Sequence, residues 1–365
     1  MIAQLRQEDA HGLADDYEAY GCSVNRITVE ALFDWYRRLG FLYDEKERLL
    51  SPYWEAILHS WKCGIRGGEL LHWYSTYQVP ESNAWASVSS WRSTQGGWVV
   101  QHLVSSNAPA AAAVMLGGIA MRLKYGRDRS HQNWYQPSKK LPKRLFGSIT
   151  RTVGMDLATV QHYELVEMPL AAPLSASKDI RVVPCDASNQ ADLLRLARQL
   201  RGSVYVAAEE LDQGDLMLEA VDSLYGLVGL SRTRRVLMAY EPGREDPVTA
   251  AIAYRGPIGL NFSFLENRCD VLVRPELSPR LAERTVGSLL AEVSPIYKDF
   301  APQRIFVATD QRTAAIISDF GGRWLRSYAQ AICLAEGMEA WYQHVEAAYA
   351  RVLRISQRAP TQNVV

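Results

Sequence analysis

The chain has 365 residues, 40 Lys and Arg against 40 Asp and Glu, and 48% hydrophobic residues. That length suits two domains, each with its own core, and zero net charge excludes the basic excess that usually marks partners of nucleic acid or anionic membranes. Five widely spaced cysteines (Cys22, Cys63, Cys185, Cys269, Cys333) without a Cys-x-x-Cys pattern exclude a disulfide framework and a zinc finger, and read as small buried residues of a reducing, cytoplasmic compartment.

The opening MIAQLRQEDAHGLADD carries acids and no apolar core, so it does not read as a signal peptide. Residues 1–66 read as helical, with apolar residues at three- and four-residue spacing over Val29 to Leu39 and Ser51 to Trp61. Leu70–Gln78 and Trp85–Arg92 read as a hairpin pair, and Gly96-Gly97 turns into a strand, Trp98–Val104. Ser105, Ser106 and Asn107 are good caps for a helix over Ala110–Lys124, and Pro109 suits its first turn. The apolar run Ala108 to Ala120 is too short to span a membrane. A strand over His131–Gln136, a helix over Pro142–Val153 and an alternating strand over Thr159–Met168 complete the first half. Residues 168–179, MPLAAPLSASKD, read as a linker.

After it, Ile180–Val183 reads as a strand, and helices follow over Asn189–Arg201 and Asp215–Leu227. Strands Arg235–Tyr240 and Val248–Tyr254 flank the polar turn EPGREDP. A further run, Gly259–Leu265, leads through the charged bend ENRCD, read as solvated, into Val271–Val273. A helix over Leu281–Lys298 precedes a short strand, Arg304–Ala308, and a helix over Asp310–Phe320 with Asp310 as N-cap and Gly321 as C-cap. The strand Arg323–Leu334 and a closing helix, Met338–Ile355, come last, and the tail reads as disordered. Periodicity alone gives an α/β or α+β chain of two domains.

Several chemistries lack their motifs: there is no Gly-x-x-x-x-Gly-Lys-Ser/Thr, Gly-x-Gly-x-x-Gly, Gly-x-Ser-x-Gly or His-Glu-x-x-His. Histidines are scattered, and His59 with His72 is too little for a metal site. The clusters Lys139-Lys140-Leu-Pro-Lys143-Arg144 and Ser231-Arg232-Thr233-Arg234-Arg235 read as solvated charge. Trp35, Trp54, Trp61, Trp73, Trp85, Trp91, Trp98 and Trp134 precede the linker, against Trp324 and Trp341 after it, and read as core.

The order strand, helix, glycine pair, strand over 301–334 (APQRIFVATDQRTAAIISDFGGRWLRSYAQAICL) resembles the C-terminal end of the GNAT acyltransferase fold, and the element order over 180–335 resembles a whole GNAT domain. The first half is a fainter copy. The resemblance implies an α/β (α+β) chain of two GNAT-like modules in tandem, each a mixed, mostly antiparallel sheet flanked by helices: 1–66 as a helical N-terminal part, 67–170, 180–335, and 336–365 as closing helix and tail. It implies an N-acyltransferase moving an acyl group from acetyl-CoA or another acyl-CoA to a small-molecule or protein amine, as a monomer or homodimer, without metal or membrane. The alternative is a catalytically inactive scaffold for regulatory protein or small-ligand binding. A transferase using aminoacyl-tRNA, as in Fem-like proteins, is a third reading, which neutral charge opposes.

The family's pyrophosphate loop matches Val104, Ser105, Ser106, Asn107 and Ala108 in the first half. In the second it matches Val273 to Gly287, where Pro279 and bulky residues replace glycines and Arg280 and Arg284 remain as anion ligands. Glu266 matches the carboxylate base and Tyr328 the tyrosine acid, while the position where many of these enzymes carry that tyrosine is Ile317. The first half offers only His102 on the corresponding strand.

Overall fold

The computed structural model describes residues 21–79, 83–125, 128–174 and 176–358; the opening segment and the end of the tail lie outside them. Among these residues the strands are β1 (Cys22–Val24), β2 (His72–Val79), β3 (Ala84–Arg92), β4 (Gly97–Ser105), β5 (Ser130–Tyr135), β6 (Ala158–Pro169), β7 (Arg181–Pro184), β8 (Thr233–Tyr240), β9 (Thr249–Arg255), β10 (Arg268–Val273), β11 (Arg304–Thr309) and β12 (Arg323–Leu334). The helices are α1 (Val29–Arg38), α2 (Asp44–Leu50), α3 (Trp54–Arg66), α4 (Ala108–Tyr125), α5 (Lys140–Phe146), α6 (Ile149–Val153), α7 (Gln190–Ala208), α8 (Glu219–Gly226), α9 (Pro279–Val293), α10 (Gln311–Asp319) and α11 (Met338–Arg358). None of the described helices is long and apolar enough to cross a membrane.

All the strands form one mixed sheet in the order β1-β2-β3-β4-β5-β12-β6-β11-β10-β9-β8-β7. Each half supplies an antiparallel run ending in one parallel pair, β4 with β5 and β10 with β11, joined by the crossover helices α4 and α9. The element order that the resemblance implied is thus present twice. The last strands are exchanged: β6 leaves its own half to pair with β11, and β12 pairs with β5. Where β6 and β12 meet, Tyr163 lies directly opposite Tyr328, each the sixth residue of a 12-residue strand. Directly opposed residues share a face, so both rings project to the same side.

The exchange merges the halves. One core begins at Trp61 and Trp91 under the N-terminal helices of the first half, runs through Tyr163 and Tyr328 to Leu289, and in the second half takes in both faces of the sheet, as the consecutive residues Ala250 to Tyr254 show. On the other face of the first half, Trp341, Val345 and Tyr349 of α11 pack with Ala110, Ala111 and Met115 of α4, so the closing helix completes the first half's core. Helix α7 crosses the seam. Its helical backbone runs to the expected end at Arg201, breaks at Gly202, which takes φ 83 and ψ 170, and resumes as a second helical segment to Ala208. Beyond its end, the Glu210 carboxylate accepts the N–H groups of Gln95 and Gly96 in the β3–β4 turn, at 3.0 and 2.7 Å.

Several local readings change. The helix read over Pro142–Val153 is broken at Gly147 into α5 and α6. Gly259–Leu265 forms no strand, and ENRCD is not a solvated bend: Glu266 lies in a one-turn 3-10 segment, and Arg268 to Asp270 begin β10 inside the protein. The reason is long-range pairing. Arg268 meets Glu209 at 3.1 Å and Asp270 at 2.7 Å, while Tyr254 and Tyr205 donate to those two carboxylates. Arg232 and Arg234, also read as solvated, are buried because backbone carbonyls receive them: Ser93 O at 2.7 Å for Arg232, and Leu216 O at 2.7 Å for Arg234.

Candidate active site

Strands β4 and β5 pair only over Gly97–Val99 and Ser130–Gln132. Beyond that they splay, and side chains bridge the gap: Gln101 Nε2 donates to Trp134 O at 2.9 Å and Asn133 Nδ2 to Val100 O at 2.7 Å. At the same level β4 bulges, with His102 and Leu103 together opposite Val88, and His102 takes φ 55. A bulge next to a splayed pair re-aims side chains and opens the sheet.

A cavity of about 1140 Å³, counting its open mouth, passes through this gap. Val88, Met115, Leu145 and Phe146 line it from one core, and Trp134, Phe262 and Tyr328 from the other. It therefore connects the two faces of the sheet. Its rim is a hydrogen-bonded chain drawn from both halves. Tyr328 Oη donates to Ser263 Oγ at 2.8 Å, Ser263 N to Asn261 Oδ1 at 2.7 Å, and Asn261 Nδ2 to Gln101 Oε1 at 3.4 Å. The second half thus closes the first half's cleft, with the loop between β9 and β10.

That loop is pinned to α3. Trp61 Nε1 donates to Gly259 O at 2.8 Å, and Gly259 has φ +77, with a hypothetical Cβ 2.4 Å from Ile57 Cγ1. Gly259→Ala is expected to cost about 1–3 kcal/mol through overpacking and backbone strain, read as a lower urea midpoint. A variant as stable as the parent would mean the loop is not held by α3.

His102 is buried between Phe262 (centroids 4.6 Å apart) and Trp61 (5.7 Å), and burial with the nearby Lys46 holds its imidazole neutral, well below the usual histidine range. It is shaped as part of an aromatic wall and poorly suited to take a proton. Lys46 of α2, which lies within the segment read as helical but outside its two periodic stretches, lines the mouth with its Nζ 3.8 Å above the Phe41 ring. No carboxylate lines the cavity among the described residues.

The residues expected from sequence fall in different places. Tyr328, expected to serve the second half, stands in the first half's cleft, while its counterpart Tyr163 is fully covered, donating to Gln330 Oε1 at 3.0 Å under Arg201. Glu266 does not line this cavity. It is buried, its oxygens approached by the backbone N–H groups of Gly259, Asn261 and Glu266 but in good hydrogen-bond geometry with no group among the described residues, and burial pushes its carboxyl up to about 8. The first loop follows directly on Leu103 in the cavity wall. Val104 is buried; Ser105 and Ala108 are half-buried. Ser106 Oγ accepts Trp85 N at 2.9 Å, and Asn107 Oδ1 caps Ala110 N at 2.8 Å.

In the second half the residues expected to hold an anion lie apart in their environments. Val273 is buried, Arg280 is exposed, and Arg284 is committed to the linker, donating to Ser177 Oγ at 3.3 Å and pairing with Asp179. The α9 start is further held by Ser278, which caps Leu281 N at 3.3 Å, and by Arg312, which donates to Pro275 O at 2.7 Å and Leu277 O.

No family model and no curated protein matches the chain. Solved structures similar to it include a GCN5-related N-acetyltransferase from Sphaerobacter thermophilus (14% identity, 77% of this chain and 85% of that one, TM-score 0.38). They also include a tandem GNAT protein from the clavulanic acid biosynthesis pathway (10% identity, 76% and 88%, TM-score 0.39). A third is the Saccharomyces cerevisiae N-myristoyltransferase with bound myristoyl-CoA (9% identity, 76% and 69%, TM-score 0.40).

Proposed function

We propose that the chain is an N-acyltransferase that works from the first half's cleft, with the second half as lid and support. The observation that carries this reading is the cavity through the sheet at the β4–β5 splay, rimmed by Tyr328. Such a passage lets a thioester enter from the α4 side and meet an amine on the opposite face. Ser105, Ser106, Asn107 and Ala108, at the start of α4, would hold the phosphate end of an acyl-CoA together with Lys139, which lines the cavity. The run of alanines after them keeps bulk away from the helix start.

The amine nitrogen attacks the thioester carbonyl carbon, the C–S bond breaks, and the sulfur leaves as thiolate. Tyr328 is placed to give that thiolate a proton, and the attacking amine loses its own to water at the open mouth. Glu266 has no part in this. Positioning accounts for most of the rate in such a site. Tyr328→Phe is expected to lower turnover roughly a hundredfold, the lower end for loss of a general acid, with acyl-CoA binding retained; unchanged turnover would remove Tyr328 from the chemistry.

The test of the reading itself is a thermal-shift titration with acetyl-CoA, longer acyl-CoAs and free CoA. Ligand at a hundred times its dissociation constant stabilises by about 2.7 kcal/mol. No shift with any of them would favour the second reading, a scaffold that binds without catalysis. That reading draws on the lack of a carboxylate in the cavity and on Ile317, buried at the family's tyrosine position.

A further inference from the structure

We propose that the acceptor is an amine that also carries an anionic group, a carboxylate on an apolar or aromatic body, and that Lys46 and Arg326 seat that group at the mouth of the cleft. The inference rests on the acyl-transfer reading for the word acceptor; the anion seat stands on its own geometry.

Lys46 lines the cavity, and its ammonium lies over two rings, 3.8 Å from the centroid of Phe41 and 5.4 Å from that of Phe262. Its hydrogen bond goes to a backbone carbonyl, Phe41 O at 3.3 Å, and it has no ion pair among the described residues. The neighbouring acid on its helix, Glu47, is taken by Arg37 at 2.6 Å. Arg326 lies two residues before Tyr328 on β12, so strand alternation puts it on the same face of the sheet as the cleft tyrosine. It is half-buried and has no ion pair or hydrogen bond of its own among the described residues.

The two cations feel each other. Burial first and the charge of Arg326 second bring the Lys46 ammonium down to about 8. A lysine that lines a cavity without an ion pair, with a second cation on the sheet face that carries Tyr328, gains a charge-assisted partner when an anion arrives. Some buried cations have acids as partners: Arg268 has two carboxylates, and Arg122 has Asp128 at 2.8 Å. Lys46, like Arg232 and Arg234, has a backbone carbonyl instead, but it alone of these three lines the open cavity.

What lies deeper fixes the rest of the acceptor. Past the cations the wall is Phe41, Phe262, Trp134 and Tyr328, with the amides of Asn133 and Asn261 as its polar points. Aromatic rings suit an apolar or planar body. Among the described residues no carboxylate lines the cavity to hold a second positive group, so a diamine finds no partner there. An amino acid with an apolar side chain, or a peptide end resembling one, has the matching distribution: anion at the mouth, amine inside near Tyr328, apolar body against the rings.

Matched ligands that differ only in the anion test this. Calorimetric titration with N-acetylphenylalanine and N-acetylphenylalaninamide reads the seat without requiring turnover. The acid is expected to bind at least tenfold more tightly than the amide, and Lys46→Met and Arg326→Met are each expected to shrink that preference several-fold. Phosphoethanolamine binding more tightly than the acid would keep the cationic seat and make its anion a phosphate. In the presence of acetyl-CoA, phenylalanine is expected to be acetylated with a lower KM than phenylalaninamide, at similar kcat, and the variants to raise that KM. Equal binding of acid and amide, or binding of neither with phosphoethanolamine also silent, overturns the seat. A clear preference for the acid with no acetylation of any amine would keep the seat and remove the acyl-transfer reading instead.

Discussion

Replacing Arg268 with Met is expected to destabilise the protein by about 3–5 kcal/mol, the loss typical of removing one partner from a buried ion pair. Arg268 is 3% exposed, Asp270 0% and Glu209 2%, so neither carboxylate has water to fall back on. Against the pull of burial, Asp270 and Glu209 hold the guanidinium charged. Its removal leaves Asp270 with the Tyr205 hydroxyl at 3.0 Å, and Glu209 with the Tyr254 hydroxyl at 2.7 Å and the charges of Arg232 and Arg234 nearby. The guanidinium also lies 4.9 Å from the Trp134 ring centroid, and Trp134 O holds Gln101 at the rim of the cleft. Urea unfolding measures the loss. A partial recovery on adding Glu209→Gln and Asp270→Asn would assign it to stranded charge, whereas a loss below about 1 kcal/mol in the single variant would show that the cluster is solvated in solution.

Glu266 sets a second large effect, and its sign is opposite to that of an ordinary salt-bridged acid. The folded carboxyl keeps its proton up to about 8, raised from 4.5 by burial that backbone amides and Arg232 only partly offset. Between those values the folded state binds a proton that the unfolded state has released. Stability therefore falls as pH rises through that window. At about 1.4 kcal/mol per unit, the cost by pH 8 is on the order of 5 kcal/mol. Glu266→Gln keeps the shape and removes the titration, so its advantage over the parent is expected to grow from pH 5 to pH 8 and then level off. Turnover is expected to be unaffected. A stability difference independent of pH would mean that Glu266 is ionised and partnered in the folded protein.

These effects were hidden in the sequence for a physical reason. Short-range signals served well: Asp310 caps its helix through Thr313 N at 3.0 Å, Gly321 takes φ +89, and Arg323–Leu334 is a strand over its whole length. Such features depend on a few neighbouring residues. The charges of ENRCD and of 231–235 looked solvated because the groups that receive them, Glu209, Ser93 and Leu216, are distant in the chain. Helix α2, DEKERLL, has little apolar periodicity and so gave no sign of the lysine it places at the cleft. Tyr328 was recognisable as a candidate, but the side of the molecule it serves follows from strand exchange, and alternation reports a strand's faces without naming its neighbours.

The exchange of β6 and β12 has a consequence for how the protein comes into being. When the ribosome has made the first half, β5 still lacks the strand that will cover its edge, because residues 323–334 are synthesised only after the whole first half and most of the second. The helix that completes the core beside α4 comes later still. The emerging first half therefore waits with an open sheet edge until the rest of the chain arrives, and contacts of such long separation form slowly. Cutting the chain between β6 and β7, after Pro169, should yield two pieces that each present a vacancy shaped for the other's final strand, and that assemble only when mixed.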